Sequence, residues 1–576
     1  MSGFSFKAIA LCLVAGSASS PLVAQSTAEL ATQRDAFEAV RPKSMAELQP
    51  FRHEMVAPLG EDRQVRLISL NPAVNTWFLL QIEQADGKVL DAWHLENPDR
   101  ESLSLTLASG PQPTLTLTRD ARTLTCAPWR GDTRPLDTAR ATGLPFAPLC
   151  GGQIYLRNRV TGSRSNLEAT TEFLRENVWG GEEIVNFVKG TFFRDSEMTT
   201  SEATQATGQG RLELGPGAAL MDEALADRPV VSTYNDLGME GTDRQHMTMG
   251  LWYPITGLEG VFTSTIQPRH VADAVLAGDG VTNGLDSVER RANAHFVAFD
   301  LARFDVQYAA GTDHPGLGWS PRPPWDARPK GMPGPDGVKN SNPLVRLGMV
   351  PPQLADSVVG VFTAGFKRSH GAFKWGDYIR LNYGTHYGFV ENGVVLSKLW
   401  PHLSTLYVLT DGTIGMKTWT ETDDALLPRI RYARQNGVPL IEDGIPGPLV
   451  TRWGPGNWSG DAEARLRTLR AGACMKTTDD TRYLIYGYFS TATPSAMART
   501  FQGYGCDYAM LLDMNALEHT HLALFVQDQD TMHVEHLMPG MALIEKRAND
   551  GAVIPRFLGY VDNRDFFYLT VKEGLK

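Results

Sequence analysis

Between Leu511 and His521 the chain reads Leu-Leu-Asp-Met-Asn-Ala-Leu-Glu-His-Thr-His, which places Asp513, Asn515, Glu518 and His519 directly behind a buried-type apolar run. A carboxylate delivered to the C-terminal edge of a strand stands where α/β proteins usually build sites. Glu518 and His519 follow closely enough to line the same pocket, with His521 facing the same way in an outgoing strand. Upstream, Gly-Phe-Lys-Arg-Ser-His-Gly brings Lys367 and His370 beside Gly365 and Gly371, glycines that let backbone approach a ligand closely. An imidazole titrates near neutrality, so His370 suits proton donation to a leaving oxygen, and Lys367 suits an anion. His519, His521, His533 and His536 lack the helical spacing of a zinc protease, and no metal or other cofactor is expected.

The elements that must position these groups are legible around the run. Tyr483–Phe489 is aromatic and aliphatic, as a buried strand is. Thr493-Pro494 reads as a helix start, Ala496, Met497 and Thr500 begin an amphipathic face, and Gly503 and Gly505 end it. Tyr508–Leu512 is then a second strand that carries Asp513. Farther from the site, Gln64–Cys126 alternates in short β-type runs, Leu167–Val188 is helical in pattern, and Pro268–Ala277 reads as a helix. The Pro- and Gly-dense stretch 311–342, with Trp319 and Trp325, has the length and composition of a lid or of a packed loop anchor. The expected organisation is a signal segment (1–24), a β-rich N-terminal domain (25–150), a helical and mixed connector (151–293) and a C-terminal domain (294–576). The fold class expected is α+β, its C-terminal domain a mixed sheet flanked by helices.

Composition narrows the partners and the compartment. With 65 acidic against 54 basic residues the formal charge is −11, which offers no footprint for nucleic acid or an anionic membrane. Lys7 followed by the apolar run Ala8–Gly16 and small residues reads as a secretory signal, too short to span a bilayer, so a periplasmic or secreted protein is expected. Cys126, Cys150, Cys474 and Cys506 remain after its removal. Of the three possible pairings, Cys126 with Cys150 and Cys474 with Cys506 is favoured, because each pair falls inside one expected domain. Neither a Gly-x-Ser-x-Gly elbow nor a phosphate-loop lysine motif is present.

Over about residues 294–545 the chain resembles the phosphodiester glycosidase family, in its bacterial subgroup with Leu-Asp-x-Asn in place of a glycine-rich motif. The pieces that carry the resemblance occur in family order: Phe362–Phe373, Leu406–Trp419, Arg434–Gly444, Arg452–Gly454, Arg470–Gly472 and Leu511–Asn515. The reaction this implies parts a sugar's anomeric carbon from a phosphodiester oxygen through an oxocarbenium-like transition state. Asp513 is then the nucleophile or base and Asn515 a ligand for a sugar hydroxyl or the phosphate. Arg434 and Arg470, sitting in shared pieces, are the anion-binding candidates, since the guanidinium fork matches phosphate. Asp443 is a possible second carboxylate. The implied protein is an exported hydrolase of a glycosidic or sugar-1-phosphodiester bond; a noncatalytic carbohydrate-binding or envelope-assembly protein using the same cleft is the alternative.

Overall fold

The computed structural model describes residue 35 and residues 44–575, except 111, 130–133, 178–194, 201–214, 223–227, 242–245, 278–279, 319–337, 339, 368–386, 452–466, 480 and 530. The expected signal segment, His370, both tryptophans of the lid-like stretch and the Arg452–Gly454 piece lie outside the described residues.

The fold is α+β, with strands dominant. Strand-helix-strand order around Asp513 appears as Arg482–Ala492, Pro494–Gly503 and Tyr508–Met514. Thr493 starts the helix by accepting a hydrogen bond from the Ala496 amide at 3.2 Å, and Pro494 costs nothing there because the first-turn amides have no helical partner. Gly505, at φ 72°, supplies the left-handed turn after it.

The two strands of this unit run parallel but are not neighbours. The strand Thr468–Thr477 lies between them and pairs antiparallel with both. Where a mixed sheet was expected, every ladder between named strands among the described residues is therefore antiparallel. The separating strand, Thr468–Thr477, forms a hairpin with Arg482–Ala492 through residues 478–481.

This eight-stranded sheet also holds Tyr253–Ile255, Leu258–Ile266 and Ala294–Asp300, so strands on both sides of residue 293 share one sheet. On one face the helix packs Phe501 against Phe296 and Phe489. Gly472 and Gly487, paired across neighbouring strands, make room for it, since a Cβ at either would lie 2.9 Å from the Phe501 ring. On the other face Tyr486 meets Phe362, which in turn meets Phe567 in a five-stranded sheet of Phe304–Ala309, Phe566–Val571, Val358–Thr363, Leu522–Asp528 and Thr531–His536. These aromatic contacts fill the main core. A third sheet contains Ile430–Gln435, and a six-stranded sheet of residues 53–157 with its own core lies toward the N-terminus.

The disulfides are Cys126–Cys150 and Cys474–Cys506, the favoured pairing, with Cα atoms 5.7 and 5.9 Å apart. No helix among the described residues is long and apolar enough to cross a membrane.

Candidate functional site

The candidate site forms where the chain passes from one sheet to the other. Asp513 is the penultimate residue of its strand. Asn515 then turns the chain in the left-handed region, at φ 78°, which asparagine tolerates better than most residues. The turn carries Glu518 and His519 and enters the strand Leu522–Asp528 of the facing sheet. Thr363, at the end of a neighbouring strand, fastens the turn by donating its hydroxyl to the His519 carbonyl at 2.6 Å.

Opposite this turn stands Arg564, just before the strand Phe566–Val571. Its backbone amide donates to Asp562 Oδ1 at 2.9 Å. Glycines are required where other chain segments cross here: a Cβ on Gly311 would lie 2.3 Å from the Arg564 carbonyl carbon, and one on Gly348 2.4 Å from the Asp562 oxygen. The guanidinium links the site. Nη1 donates to Asp513 Oδ2; Nη2 donates to Glu168 Oε1 at 2.5 Å and to His519 Nε2 at 2.8 Å. Its Nε is buried with no acceptor among the described residues.

His519 Nδ1 lies 2.8 Å from the Met514 carbonyl and must donate to it, which fixes the neutral tautomer whose Nε2 accepts from Arg564. Lys367 Nζ stands 3.4 Å from Glu168 and 3.5 Å from Asp313, and Asp313 also pairs with Arg164 at 2.7 Å. Asp313 and Arg164 line a cleft of about 510 Å³ that also includes Arg159 and Arg346.

Burial alone would raise the pKa of Glu168, but Arg564, Lys367 and the hydrogen bond from Asn563 outweigh it and hold the carboxylate far below its ordinary range. Glu518 is likewise desolvated, yet His519, 3.5 Å from its Oε1, and the Ser165 hydroxyl bring it down to about 2. For Arg564 desolvation is overcome by Glu168 and Asp513, so its charge is held firmly.

Asp513, Glu518, His519 and Lys367 thus gather around Arg564 and Glu168. Asn515 is adjacent, but its Oδ1 accepts from the Thr468 hydroxyl at 3.1 Å, a tie to the neighbouring strand. The two family-linked arginines occupy a different layer. Arg434 is fully buried, with Nε on Asp565 at 2.6 Å, Nη2 on the Phe366 carbonyl at 2.7 Å, Nη1 on the Gln435 carbonyl, and its plane 4.1 Å over the Phe389 ring. Arg470 is also fully buried, opposite Met514 in the sheet, and donates to the Ala492 carbonyl at 2.9 Å. Neither guanidinium lines the cleft, and Asp513, Arg564 and Lys367 lie behind it rather than in its lining. The role of Arg434 and Arg470 is to hold Phe366, Asp565 and Met514, the neighbours of Lys367, Arg564 and Asp513.

Asp443 is not brought to the site. With φ 52°, and Gly444 at 77°, it forms an Asp-Gly hairpin turn, and Gly444 bonds Asp507, before the start of the strand that ends beyond Asp513. Asp513 therefore lies about 20 Å along an extended strand from that end.

Sequence reasoning passed over Glu168 and Arg564. Ser165-Asn-Leu-Glu168 has the spacing of a capping box, and Ser165 Oγ does accept from the Glu168 amide at 3.0 Å, but the glutamate side chain reaches Arg564. Asp562-Asn-Arg-Asp565 reads as a solvated turn before a strand, whereas all four residues are buried.

No family model matches the chain, and no curated protein matches it. Among solved structures it is similar to the zebrafish N-acetylglucosamine-1-phosphodiester α-N-acetylglucosaminidase catalytic domain auto-inhibited by its pro-peptide (10% identity, TM-score 0.29, covering 66% of this chain and 98% of that one). It is also similar to a hypothetical protein from Synechocystis (10% identity, TM-score 0.27, 86% and 97% covered). At such values neither likeness bears on the chemistry of the site.

Proposed function

We propose that the protein is an exported hydrolase that cleaves a sugar-1-phosphodiester, with Asp513 facing the anomeric carbon and the phosphate held by Arg564 and Lys367. The observation that carries this reading is the geometry of the cluster, in which Arg564 pairs with both Asp513 and Glu168 and Lys367 stands 3.4 Å from Glu168. Glu168 and Glu518 are held ionised, and the His519 Nδ1 proton is committed to a carbonyl.

Among the described residues the cluster therefore offers no protonated acid for a strongly basic leaving group. A phosphate oxygen needs none. It takes the bonding pair from the anomeric carbon and departs as a weakly basic anion, which cationic donors stabilise as charge develops. Water supplies the hydroxyl to the sugar and releases its proton to solvent. Asp513, with Oδ1 on the Met514 amide at 2.9 Å, is oriented to oppose the positive charge of the oxocarbenium-like transition state.

The Glu168 carboxylate already lies on Arg564 and near Lys367, so the substrate phosphodiester replaces one anion by another. The small residues after Lys7, the two disulfides and the sequence resemblance support export and the glycan class. The test is turnover of sugar-1-phosphodiesters against alkyl glycosides of the same sugars. Release of phosphomonoester, lost in Asp513→Asn with folding retained, supports the proposal. Saturable binding without turnover of either class overturns it in favour of a carbohydrate receptor.

A further inference from the structure

We propose that His521, His536 and Glu545 bind one divalent transition-metal ion of the zinc class, at a site separate from the Asp513 cluster. The inference starts from His521, which is fully buried and whose two ring nitrogens both lack a hydrogen-bond partner among the described residues. Buried polar atoms are nearly always partnered, so an imidazole in this state asks for an explanation.

The hairpin and the turn behind it supply one. His521 precedes the strand Leu522–Asp528, His536 ends the paired strand, and the Leu537 amide donates to the Leu522 carbonyl at 3.2 Å, holding the two strand ends together. The helical turn Pro539–Leu543 then returns Glu545 to the same point. Glu545 Oε1 lies 2.8 Å from His536 Nε2 and 3.5 Å from His521 Nε2, and one ligand atom from each residue falls within 4.8 Å of the others.

Ligand atoms of a tetrahedral zinc, at metal distances of about 2.0–2.1 Å, are about 3.4 Å apart. Small adjustments bring the three atoms to that geometry. The hydrogen bond between His536 and Glu545 accounts for two of them, and a shared ion gives His521 Nε2 a partner as well. Glu545 Oε2 accepts the Arg556 amide at 2.5 Å, which fixes the carboxylate and leaves Oε1 for the metal. The Arg556 side chain is neutralised by Asp562, at 2.8 and 3.1 Å, so an added cation does not meet an unpaired guanidinium. Two imidazoles and one carboxylate select zinc or a similar ion over calcium or magnesium, with water completing the shell.

The full chain, stripped with chelator, is titrated with Zn²⁺ by calorimetry and with Co²⁺ by visible absorption. One equivalent is expected, with the absorption of tetrahedral Co²⁺. Both His536→Gln and Glu545→Gln should lose at least about tenfold in affinity, each having the wild-type melting temperature in chelator. If one variant fails to fold, the other decides. Absence of binding, undiminished binding in the folded variants, or its loss in His519→Gln, which would place the ion with Glu168 and Glu518, overturns the proposal.

Discussion

Arg564 donates to Glu168 at 2.5 Å with the same guanidinium whose other terminal nitrogen holds Asp513, so a helix from the first third of the chain and the sheet edge share one cation. A lysine at 564 would keep the charge but lose the fork that serves two carboxylates and His519 at once. Arg564→Lys is expected to lower turnover on sugar-1-phosphodiesters by about 10²–10³-fold, as removal of a transition-state donor does. It should also cost about 3–5 kcal/mol in urea unfolding, because a buried pair is broken. Activity near wild type would remove Arg564 from the proposed chemistry.

Asp513→Asn keeps the shape and the Met514 amide bond while removing the charge. Arg564 retains Glu168, so the stability loss should stay near 1–3 kcal/mol, about that of a weakened buried hydrogen bond. Turnover should fall below detection, while binding of the substrate, measured by calorimetry, persists. A parallel loss of binding and melting temperature would mean that Asp513 is structural.

Glu168→Gln probes the proposed exchange of anions. The neutral amide no longer competes for Arg564 and Lys367, so inorganic phosphate should inhibit more strongly. The expected fall in inhibition constant is about tenfold, corresponding to roughly 1.4 kcal/mol. Unchanged inhibition would show that substrate phosphate binds elsewhere.

How far these relations were legible depends on their range in sequence. The strand, helix and strand from Arg482 to Met514 were readable because apolar runs, Thr493-Pro494 and the glycines at 503 and 505 are local signals. The cysteine pairing was readable from its placement. The intervening strand Thr468–Thr477 was not read: it hairpins onto Arg482–Ala492 through residues 478–481, but the ladder that inserts it between the two strands reaches past the helix to Tyr508–Met514. Arg434 illustrates the same limit: a guanidinium spent on Asp565 and two carbonyls has the same one-letter code as one that binds phosphate. Glu168 and Arg564 lie 396 residues apart, beyond any local pattern.

Acid-base stability should carry opposing contributions. Glu391 is fully buried; desolvation raises its pKa, against the pull of Arg157 3.9 Å away and the Ala310 amide, to about 8 from a reference of 4.5. The unfolded state loses this proton first, so the stabilisation from the bound proton is complete below about 4.5 and is lost as pH rises to about 8. Glu518 acts in the other direction: lowered from 4.5 to about 2, it contributes above 4.5 and is lost as pH falls toward 2. Glu391→Gln should flatten the decline between pH 5 and 8, a difference on the order of a few kcal/mol across that window. Denaturant unfolding at a series of pH values measures it, and an unchanged slope would exclude Glu391 as its source.

Asp443→Ala separates the hairpin carboxylate from the site. Asp443 sits in the left-handed region at the end of the sheet remote from Asp513, where aspartate is tolerated and alanine is strained. The substitution should cost about 1–2 kcal/mol through that backbone preference and leave both kcat and KM on a sugar-1-phosphodiester within twofold of wild type. Asp443→Asn, which also tolerates positive φ, should restore the stability. A fall in kcat shared by both variants would instead mean that a second carboxylate reaches the anomeric carbon, and the single-carboxylate scheme built on Asp513 would fail.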